Sequence, residues 1–223
     1  MALHELEVLR SAPIAALRCA ELIAERARAA AKERGVCALA LSGGSGPWRA
    51  FRLLDDEKVP WAKVEIFQVD ERIAPMGDDD RNMTHMQEFL PEAGWKRMHP
   101  MPVEAEDLEA AAAEYAALLP DRLDLAHLGL GPDGHTASLV PGDPVLEVAD
   151  LDVALTAGEY QGRRRMTLTF PTLDRSRELL WLITGESKAE ALQLLLAGDP
   201  RIPAGRLRAE RSVILADRAA AGS

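Results

Sequence analysis

The chain has 223 residues, of which 48% are hydrophobic and 28% are charged, so it can bury a core and is not expected to be disordered. Its 26 Lys and Arg against 36 Asp and Glu give a net charge of −10, which disfavours nucleic-acid binding, and 4% aromatic residues are too few for a base-stacking surface. No apolar run approaches the about 18 residues of a membrane span, and the N-terminal segment lacks a signal peptide's apolar stretch. Cys19 and Cys37 form no C-x-x-C motif, so we expect a cytoplasmic globular protein without disulfides or bound zinc.

Helices and strands alternate along the predicted chain. In chain order we expect a helix at 13–34, a strand at 36–41, a helix at 48–54, a strand at 64–69, a helix at 82–90, a strand at 97–103, a helix at 106–119, strands at 123–130, 151–155, 165–169 and 179–184, a helix at 187–196 and a strand at 212–216. The residues before the first helix are interpreted as a tail. The alternation predicts one α/β domain over residues 1–223, built on a mainly parallel sheet.

Three unusual loops, at 42–47, 70–82 and 131–138, each follow the carboxyl end of a predicted strand. Ligands of open parallel sheets bind beyond these ends, where the connecting loops gather. The three loops are therefore the first candidates for a functional site.

The loop at 42–47 reads Ser-Gly-Gly-Ser-Gly-Pro and leads into a helix. Its glycines, Gly43 and Gly44, allow a ligand close to the backbone, and free N–H groups at the helix start together with the Ser45 hydroxyl could bind an anion such as phosphate. It is not a Walker A loop, and it narrowly misses the G-x-S-x-G motif because Pro47 follows Gly46. The simpler alternative is a tight turn with a capping serine.

The charged loop at 70–81 begins with Asp70-Glu-Arg72 at a strand end. Arg72 could fork onto a carboxylate or phosphate and Asp70 could bind sugar hydroxyls, but the two could equally form a structural ion pair. The acidic residues at 78–80 lack the ligand spacing of a calcium loop and are interpreted as solvated surface.

The segment 129–134 formally matches the dinucleotide motif G-x-G-x-x-G, but Pro141, Gly142 and Pro144 leave no room for the helix that such a motif opens. The residue of interest is instead His135, a glycine-flanked histidine at a strand end that could act as a general base. Asp133 could orient its imidazole or simply belong to the turn. No pair of histidines has the spacing of zinc ligands, so no metal is expected.

An anionic substrate of this acidic protein would need local cations. Arg165 opens the strand at 165–169, and Lys188 lies near a helix start, where the helix dipole also favours anions. Both are candidates for phosphate binding, whereas Arg163 and Arg164 are interpreted as an exposed charged edge.

Taken together, these segments resemble the 6-phosphogluconolactonase family over about residues 36–217. The specific signature is Gly129-Leu-Gly-Pro-Asp-Gly-His-Thr-Ala-Ser138, and five further segments occur in the family's order: Leu41-Ser-Gly-Gly-Ser45, Asp70-Glu-Arg72 with Asn82, Arg165-Met-Thr-Leu-Thr169, Gly185-Glu-Ser-Lys188 and Ile202-Pro-Ala204.

The resemblance implies an α/β three-layer sandwich around a mostly parallel sheet, like that of glucosamine-6-phosphate deaminase. It implies cofactor-free hydrolysis of the sugar-phosphate lactone 6-phospho-D-glucono-1,5-lactone to 6-phosphogluconate, within the oxidative pentose phosphate pathway. By resemblance, His135 activates water and Arg72 contacts the substrate, while the phosphate side comprises Gly43, Gly44, Ser45, Arg165 and Lys188. The family commonly has Thr where this chain has Gly46, so a hydroxyl is lost there.

Three alternatives stay open. An isomerase or deaminase of amino-sugar phosphates would share the fold, but such deaminases carry another carboxylate after the histidine, and the segment 137–141 has none. A hydrolase could instead use Ser45 as nucleophile with His135 as base. A sugar-phosphate sensor would carry a DNA-binding helix-turn-helix, for which the first 35 residues hold too few helices. The sequence leaves the oligomeric state open, with a monomer slightly favoured.

Overall fold

The computed structural model describes residues 4–222 and contains ten strands and eight α-helices in that range, besides four short 3₁₀ helices. In chain order they are β1 (His4–Leu9), α1 (Ala12–Arg34), β2 (Cys37–Leu41), α2 (Ser45–Leu53), β3 (Val64–Gln68), β4 (Asp70–Arg72), α3 (Asn82–Phe89), α4 (Glu92–Trp95), β5 (Met98–His99), α5 (Leu108–Leu118), β6 (Leu125–Leu128), β7 (Val153–Leu155), β8 (Arg165–Leu168), α6 (Phe170–Asp174), β9 (Leu179–Ile183), α7 (Ala189–Leu196), β10 (Ser212–Asp217) and α8 (Arg218–Ala221).

Seven strands form a parallel sheet in the order β1-β10-β9-β6-β2-β3-β5. From the centre, the chain runs outward through β2, β3 and β5 on one side and through β6, β9 and β10 on the other. The strand order therefore reverses between β2 and β6, and the loops that leave these two strands diverge. This switch point is where an open parallel sheet forms a ligand-binding crevice.

The two faces of the sheet are covered by separate hydrophobic clusters. One face packs against α1, α2 and α3, with Ile23, Phe51 and Met86 against strand residues such as Leu39 and Leu41. The other face packs against α5, α6, α7, α8 and a second sheet, and its large buried side chains include the following: Tyr115, Trp181, Phe67, Met166, Leu192 and Leu195. The result is a three-layer α/β arrangement with the parallel sheet in the middle.

The second sheet has three antiparallel strands in the order β4-β8-β7. Its register pairs Asp70 with Thr167 and Arg72 with Arg165. Because β4 follows β3 after a single residue, this small sheet is attached to the carboxyl edge of the large one. It therefore places two segments that are far apart in sequence beside the crevice.

The mainly parallel sheet and most of its strands and helices are confirmed, and three predictions about elements are wrong. Residues 4–9 form the edge strand β1 rather than a tail, because their alternating apolar and acidic residues suit a strand that is half exposed. Residues 70–72 form β4 rather than the start of a loop. Only Met98–His99 of the strand predicted at 97–103 pair in the sheet. Within the described range, no helix combines the length and apolar character needed to cross a membrane.

Candidate active site

A cleft of about 280 Å³ opens at the carboxyl ends of β2, β6 and β9, on the switch point of the parallel sheet. Eight of the nine residues predicted for the site line this cleft: Gly43, Gly44, Ser45, Asp70, Arg72, His135, Arg165 and Lys188. The ninth, Asp133, lies behind His135 and reaches it by a hydrogen bond. The loops predicted from the sequence thus meet at one place.

The first wall of the cleft is the glycine-rich loop that joins β2 to α2. Gly44 is the N-cap of α2, and the Trp48 N–H donates to the Gly44 carbonyl at 3.0 Å. The N–H groups of the first helical turn have no acceptor inside the helix, so those of Ser45 and Gly46 are free to meet a ligand. With the positive end of the helix dipole, this wall suits an anion.

The second wall is the loop that follows β6, and it holds His135 close against its own backbone. The Gly131 N–H donates to the His135 carbonyl at 2.8 Å, and a Cβ at position 131 would lie 2.0 Å from His135 Nδ1. Only glycine leaves room for the imidazole there. The segment 131–135 is thus a tight turn with no following helix, as expected from the prolines after it, and its glycines serve packing rather than a dinucleotide.

His135 is held by a carboxylate and a phenol. Its Nδ1 lies 2.6 Å from Asp133 Oδ1, and the Tyr160 hydroxyl donates to Asp133 Oδ2 at 3.1 Å. Burial raises the pKa of Asp133, but the hydrogen bonds and charge of His135 and the Tyr160 hydroxyl outweigh burial and bring it below its usual range. Because an ionised carboxylate only accepts, Nδ1 carries the proton in neutral His135 and Nε2 has the free lone pair.

The third wall comes from the small sheet and is built on the buried pair Asp70 and Arg165. These side chains are about 6% and 4% exposed, and Arg165 Nη1 lies 3.8 Å from Asp70 Oδ2. The Ser138 hydroxyl donates to Asp70 Oδ2 at 2.6 Å, and Arg165 Nη2 donates to the Tyr160 carbonyl at 3.1 Å. The Nε atom of Arg165 is buried and has no hydrogen-bond partner within the described residues.

Arg72 extends from β4 into the cleft, where its guanidinium donates to the Asn82 side-chain oxygen. Both residues depend on Glu71, which is fully buried and which sequence analysis did not single out. The Glu71 carboxylate accepts the backbone N–H of Arg72 at 2.8 Å and those of Asn82 and Met83 at 2.7 and 2.8 Å. It therefore caps α3 and fixes Arg72 relative to that helix.

Lys188 closes the cleft from the turn between β9 and α7, where it is the N-cap residue of α7. Its side chain is partly buried, which lowers the pKa of the ammonium group, while the negative charge of Asp133 acts in the opposite direction. The cleft thus contains three cationic side chains, Arg72, Arg165 and Lys188, in a protein with a net charge of −10.

The acidic residues at 78–80 are only partly the solvated surface that was expected. Arg163 forms ion pairs with Asp78 at 3.0 Å and with Asp80 at 2.9 Å, so it bridges two loops beside the cleft instead of standing free. Within residues 4–222, no group of three or more His, Cys, Asp or Glu side chains is placed to hold a metal ion.

Comparison of the sequence with known proteins identifies the family of this chain. The sequence model of the family described as "Glucosamine-6-phosphate isomerases/6-phosphogluconolactonase" matches residues 11–215. The chain belongs to this family. It is 35% identical over 215 residues to a 6-phosphogluconolactonase of Synechocystis sp., in an alignment that covers 88% of each chain.

Two solved structures illustrate the fold that this chain shares with known proteins. The crystal structure of 6-phosphogluconolactonase from Thermotoga maritima matches with a TM-score of 0.84 and 27% identity, covering 96% of this chain and 99% of that one. A monomeric glucosamine-6-phosphate deaminase matches with a TM-score of 0.84 and 23% identity, over 98% and 99% of the two chains. The three-layer fold implied by the resemblance is therefore confirmed.

One departure from the family's sequence, Gly46, lies beside a hydroxyl group from another part of the chain. A Cβ at this position would lie 3.8 Å from the Thr184 hydroxyl, which also lines the cleft. A hydroxyl is thus present beside Gly46, although it comes from the end of β9 rather than from the glycine-rich loop.

Proposed function

We propose that this protein hydrolyses 6-phospho-D-glucono-1,5-lactone to 6-phosphogluconate, the reaction for which its relatives are named, as a step of the oxidative pentose phosphate pathway. The observation that carries the proposal is the single cleft in which His135, paired with Asp133, faces a glycine-rich helix start and three cationic side chains. A base and an anion site within one small cleft suit an activated ester that carries a phosphate.

His135 acts as the general base. Its Nδ1–H is engaged by Asp133, so the Nε2 lone pair takes a proton from a water molecule as that water attacks C1 of the lactone. The Asp133 carboxylate then stabilises the imidazolium that forms. The base has the two properties this step needs, a free ring nitrogen and partial exposure, since the His135 side chain is 20% exposed.

The attack on C1 produces a tetrahedral oxyanion. Backbone N–H groups of the glycine-rich loops, with the Arg72 guanidinium, are the donors available to stabilise it. When the bond between C1 and the ring oxygen breaks, protonated His135 returns its proton to the departing oxygen. The products are an open-chain carboxylic acid, which ionises, and a regenerated neutral base, so no cofactor is consumed.

The side chains that bind the phosphate differ from His135 and Arg72, which act at the lactone carbon. Lys188 and Arg165 supply charge, and the start of α2 supplies N–H groups together with the Ser45 hydroxyl. Asp70 Oδ2 accepts from Ser138 and lies 3.8 Å from Arg165, and Asp70 Oδ1 accepts from the Asn82 amide at 3.3 Å. We therefore assign Asp70 to holding Arg165 rather than to binding a sugar hydroxyl. This arrangement favours a phosphorylated lactone over an unphosphorylated one.

The experiment that tests the function measures hydrolysis of freshly made 6-phosphogluconolactone, coupled to 6-phosphogluconate dehydrogenase and corrected for the spontaneous reaction. Unphosphorylated gluconolactone is the control for the anion site, and glucosamine-6-phosphate is the control for deaminase activity. We expect rapid turnover of the phosphorylated lactone alone. No acceleration above background by folded protein would contradict the proposal.

A nucleophilic role for Ser45 is the chemical alternative, and the contacts of His135 speak against it. His135 Nδ1 forms hydrogen bonds with Asp133 and Tyr160. Within the described residues, no hydrogen bond joins His135 to Ser45. An acyl-enzyme route would lose nearly all kcat in Ser45→Ala. We expect Ser45→Ala instead to raise KM and to keep most of kcat, because the hydroxyl serves the phosphate.

We further propose that the protein works in the cytoplasm as a monomer. Both cysteines, Cys19 and Cys37, are free and buried, which suits a reducing compartment. Gel filtration with light scattering tests the oligomeric state, and a dimer would contradict it.

A further inference from the structure

Tyr160 lies on the hairpin that joins β7 to β8, opposite the loop that holds His135. The Tyr160 N–H donates to the Arg163 carbonyl at 2.9 Å, and the two central residues, Gln161 and Gly162, have φ values of +55° and +80°. Two successive residues with positive φ are the mark of a type I′ turn, whose twist matches that of the flanking strands. This tight turn fixes the position from which the Tyr160 side chain enters the site.

The Tyr160 hydroxyl contacts both members of the catalytic pair. It donates to Asp133 Oδ2 at 3.1 Å and lies 3.2 Å from His135 Nδ1, while Asp133 Oδ1 accepts from Nδ1 at 2.6 Å. Each carboxylate oxygen therefore has its own side-chain donor. With the Tyr160 hydroxyl on Oδ2, the carboxylate is fixed so that Oδ1 faces the imidazole.

The ring of Tyr160 has a second set of contacts, on the anion-binding side. The Arg165 guanidinium carbon lies 5.1 Å from the ring centroid, within the range of a cation–π contact, and the His135 ring packs edge-on against Tyr160 at 5.0 Å. The Tyr160 carbonyl also accepts from Arg165 Nη2 at 3.1 Å. One residue thus touches the base, its carboxylate partner and a buried cation of the cleft.

We infer that Tyr160 is a positioning residue for the lactonase reaction: its hydroxyl orients the Asp133–His135 pair for proton transfer, and its ring holds Arg165 toward the substrate phosphate. This inference rests on the proposed function for its kinetic consequences. Its structural half, the orientation of His135, holds independently of which substrate the protein accepts.

Two substitutions separate the hydroxyl from the ring. Tyr160→Phe removes the hydroxyl and keeps the ring and the carbonyl, so we expect kcat to fall about 3- to 10-fold with little change in KM. Tyr160→Leu also removes the ring, so we expect the same loss of kcat together with a rise in KM of about 2- to 5-fold. The matched control is Tyr115→Phe, which removes a hydroxyl from the buried tyrosine of α5, away from the cleft, and should leave both constants unchanged.

A spectroscopic measurement tests the orientation without any substrate. The His135 Nδ1 proton, hydrogen-bonded to Asp133, should give a downfield proton NMR resonance, assigned by its loss in His135→Gln. We expect this resonance to broaden and exchange faster with water in Tyr160→Phe but not in Tyr115→Phe. Thermal unfolding of each variant verifies that the fold is intact.

The outcomes are distinct. If Tyr160→Phe retains the wild-type kcat and the wild-type Nδ1 resonance, Tyr160 has no positioning role. If the wild-type protein fails to hydrolyse the lactone, the proposed function falls, and the NMR comparison alone then decides whether Tyr160 orients His135. If KM is unchanged in Tyr160→Leu, the ring does not position Arg165.

Discussion

The two sheets of this protein contribute to the cleft in different ways. The loops of the seven-stranded parallel sheet supply backbone N–H groups, the His135–Asp133 pair and Lys188, all close to where their strands end. The small antiparallel sheet supplies Arg72 and Arg165, whose guanidiniums are held by buried or partly buried hydrogen bonds. The base and the buried cation therefore come from different sheets, and Tyr160 contacts both of them. Substitutions at His135 and at Arg165 should accordingly affect different steps, the proton transfer and the binding of phosphate.

The largest expected effect is on the parallel-sheet side. His135→Ala removes the base, so we expect kcat for 6-phosphogluconolactone to fall roughly 10²–10⁴-fold with little change in KM. The coupled assay measures both constants. The matched control is His99→Ala on the edge strand β5, where His99 pairs with Glu65 outside the cleft and kcat should be retained. Full activity in a folded His135→Ala protein would overturn the mechanism.

Another histidine of the parallel sheet, His127, is expected to affect stability rather than catalysis. His127 in β6 is fully buried against Phe51, neither ring nitrogen has a hydrogen-bond partner within the described residues, and burial lowers its pKa to about 4. Between the unfolded pKa of about 6.5 and the folded value, only the unfolded chain binds the proton, so the free energy of unfolding falls as pH falls. From pH 7 to pH 5 this one group costs about 2 kcal/mol.

Replacing this side chain tests the assignment. His127→Leu should remove that share of the acid-induced loss, so the difference in unfolding free energy between pH 7 and pH 5 should shrink by about 2 kcal/mol. Urea unfolding of wild type and variant at both pH values measures it. An equal pH dependence in the two proteins would show that His127 takes no part in acid sensitivity.

The next prediction compares one cation from each sheet. Arg165→Ala and Lys188→Ala should both raise KM, by about 10- to 100-fold, because each removes a charged donor to phosphate. Only Arg165→Ala should also reduce stability, by about 1–3 kcal/mol, since it leaves Asp70 buried without its cation. Lys188 is partly exposed and takes part in no ion pair within residues 4–222, so its removal should hardly change the unfolding free energy.

Kinetics and urea unfolding of the same two preparations make this comparison. A stable Arg165→Ala protein would mean that the small sheet does not depend on its buried pair. An unstable Lys188→Ala protein would mean that Lys188 also stabilises the fold, so the expected difference between the two cations would be wrong.

The sequence predicted the parallel-sheet half of the site well. In the small sheet it predicted strands at 151–155 and 165–169, which correspond to β7 and β8, but neither β4 nor the separate antiparallel pairing of the three strands. The glycine-rich loop and the His135 loop are local features, each readable within about ten residues of a strand end, so their positions followed from the strand pattern alone. The pairing of Asp70 with Thr167 joins distant segments, and all three residues of β4 are charged. No apolar pattern therefore marks β4 as a strand, and the sequence indicates a loop there.

Sequence analysis did not identify Glu71 and Tyr160 as contributors to the site, and the reason is related. Glu71 stands between two residues that were singled out, but its role as the cap of α3 depends on how loop 73–81 folds back. Tyr160 lies in a turn built on Gln161 and Gly162, and only the glycine of that pair is a usual turn residue. In both cases the function of the side chain follows from tertiary contacts that no short motif encodes.

The smallest expected effect lies within the small sheet itself and contrasts two arginines that are two residues apart. Arg163 pairs with Asp78 and Asp80 at the surface, whereas Arg165 is buried against Asp70. Exposed ion pairs contribute little because water and salt screen them, so Arg163→Ala should leave the melting temperature nearly unchanged and alter kcat/KM less than about twofold. Thermal unfolding at low and high salt, beside the coupled assay, measures both. If Arg163→Ala instead raised KM as strongly as Arg165→Ala, the bridge from Arg163 to the acidic loop would be part of the phosphate site, and burial would no longer distinguish the two arginines.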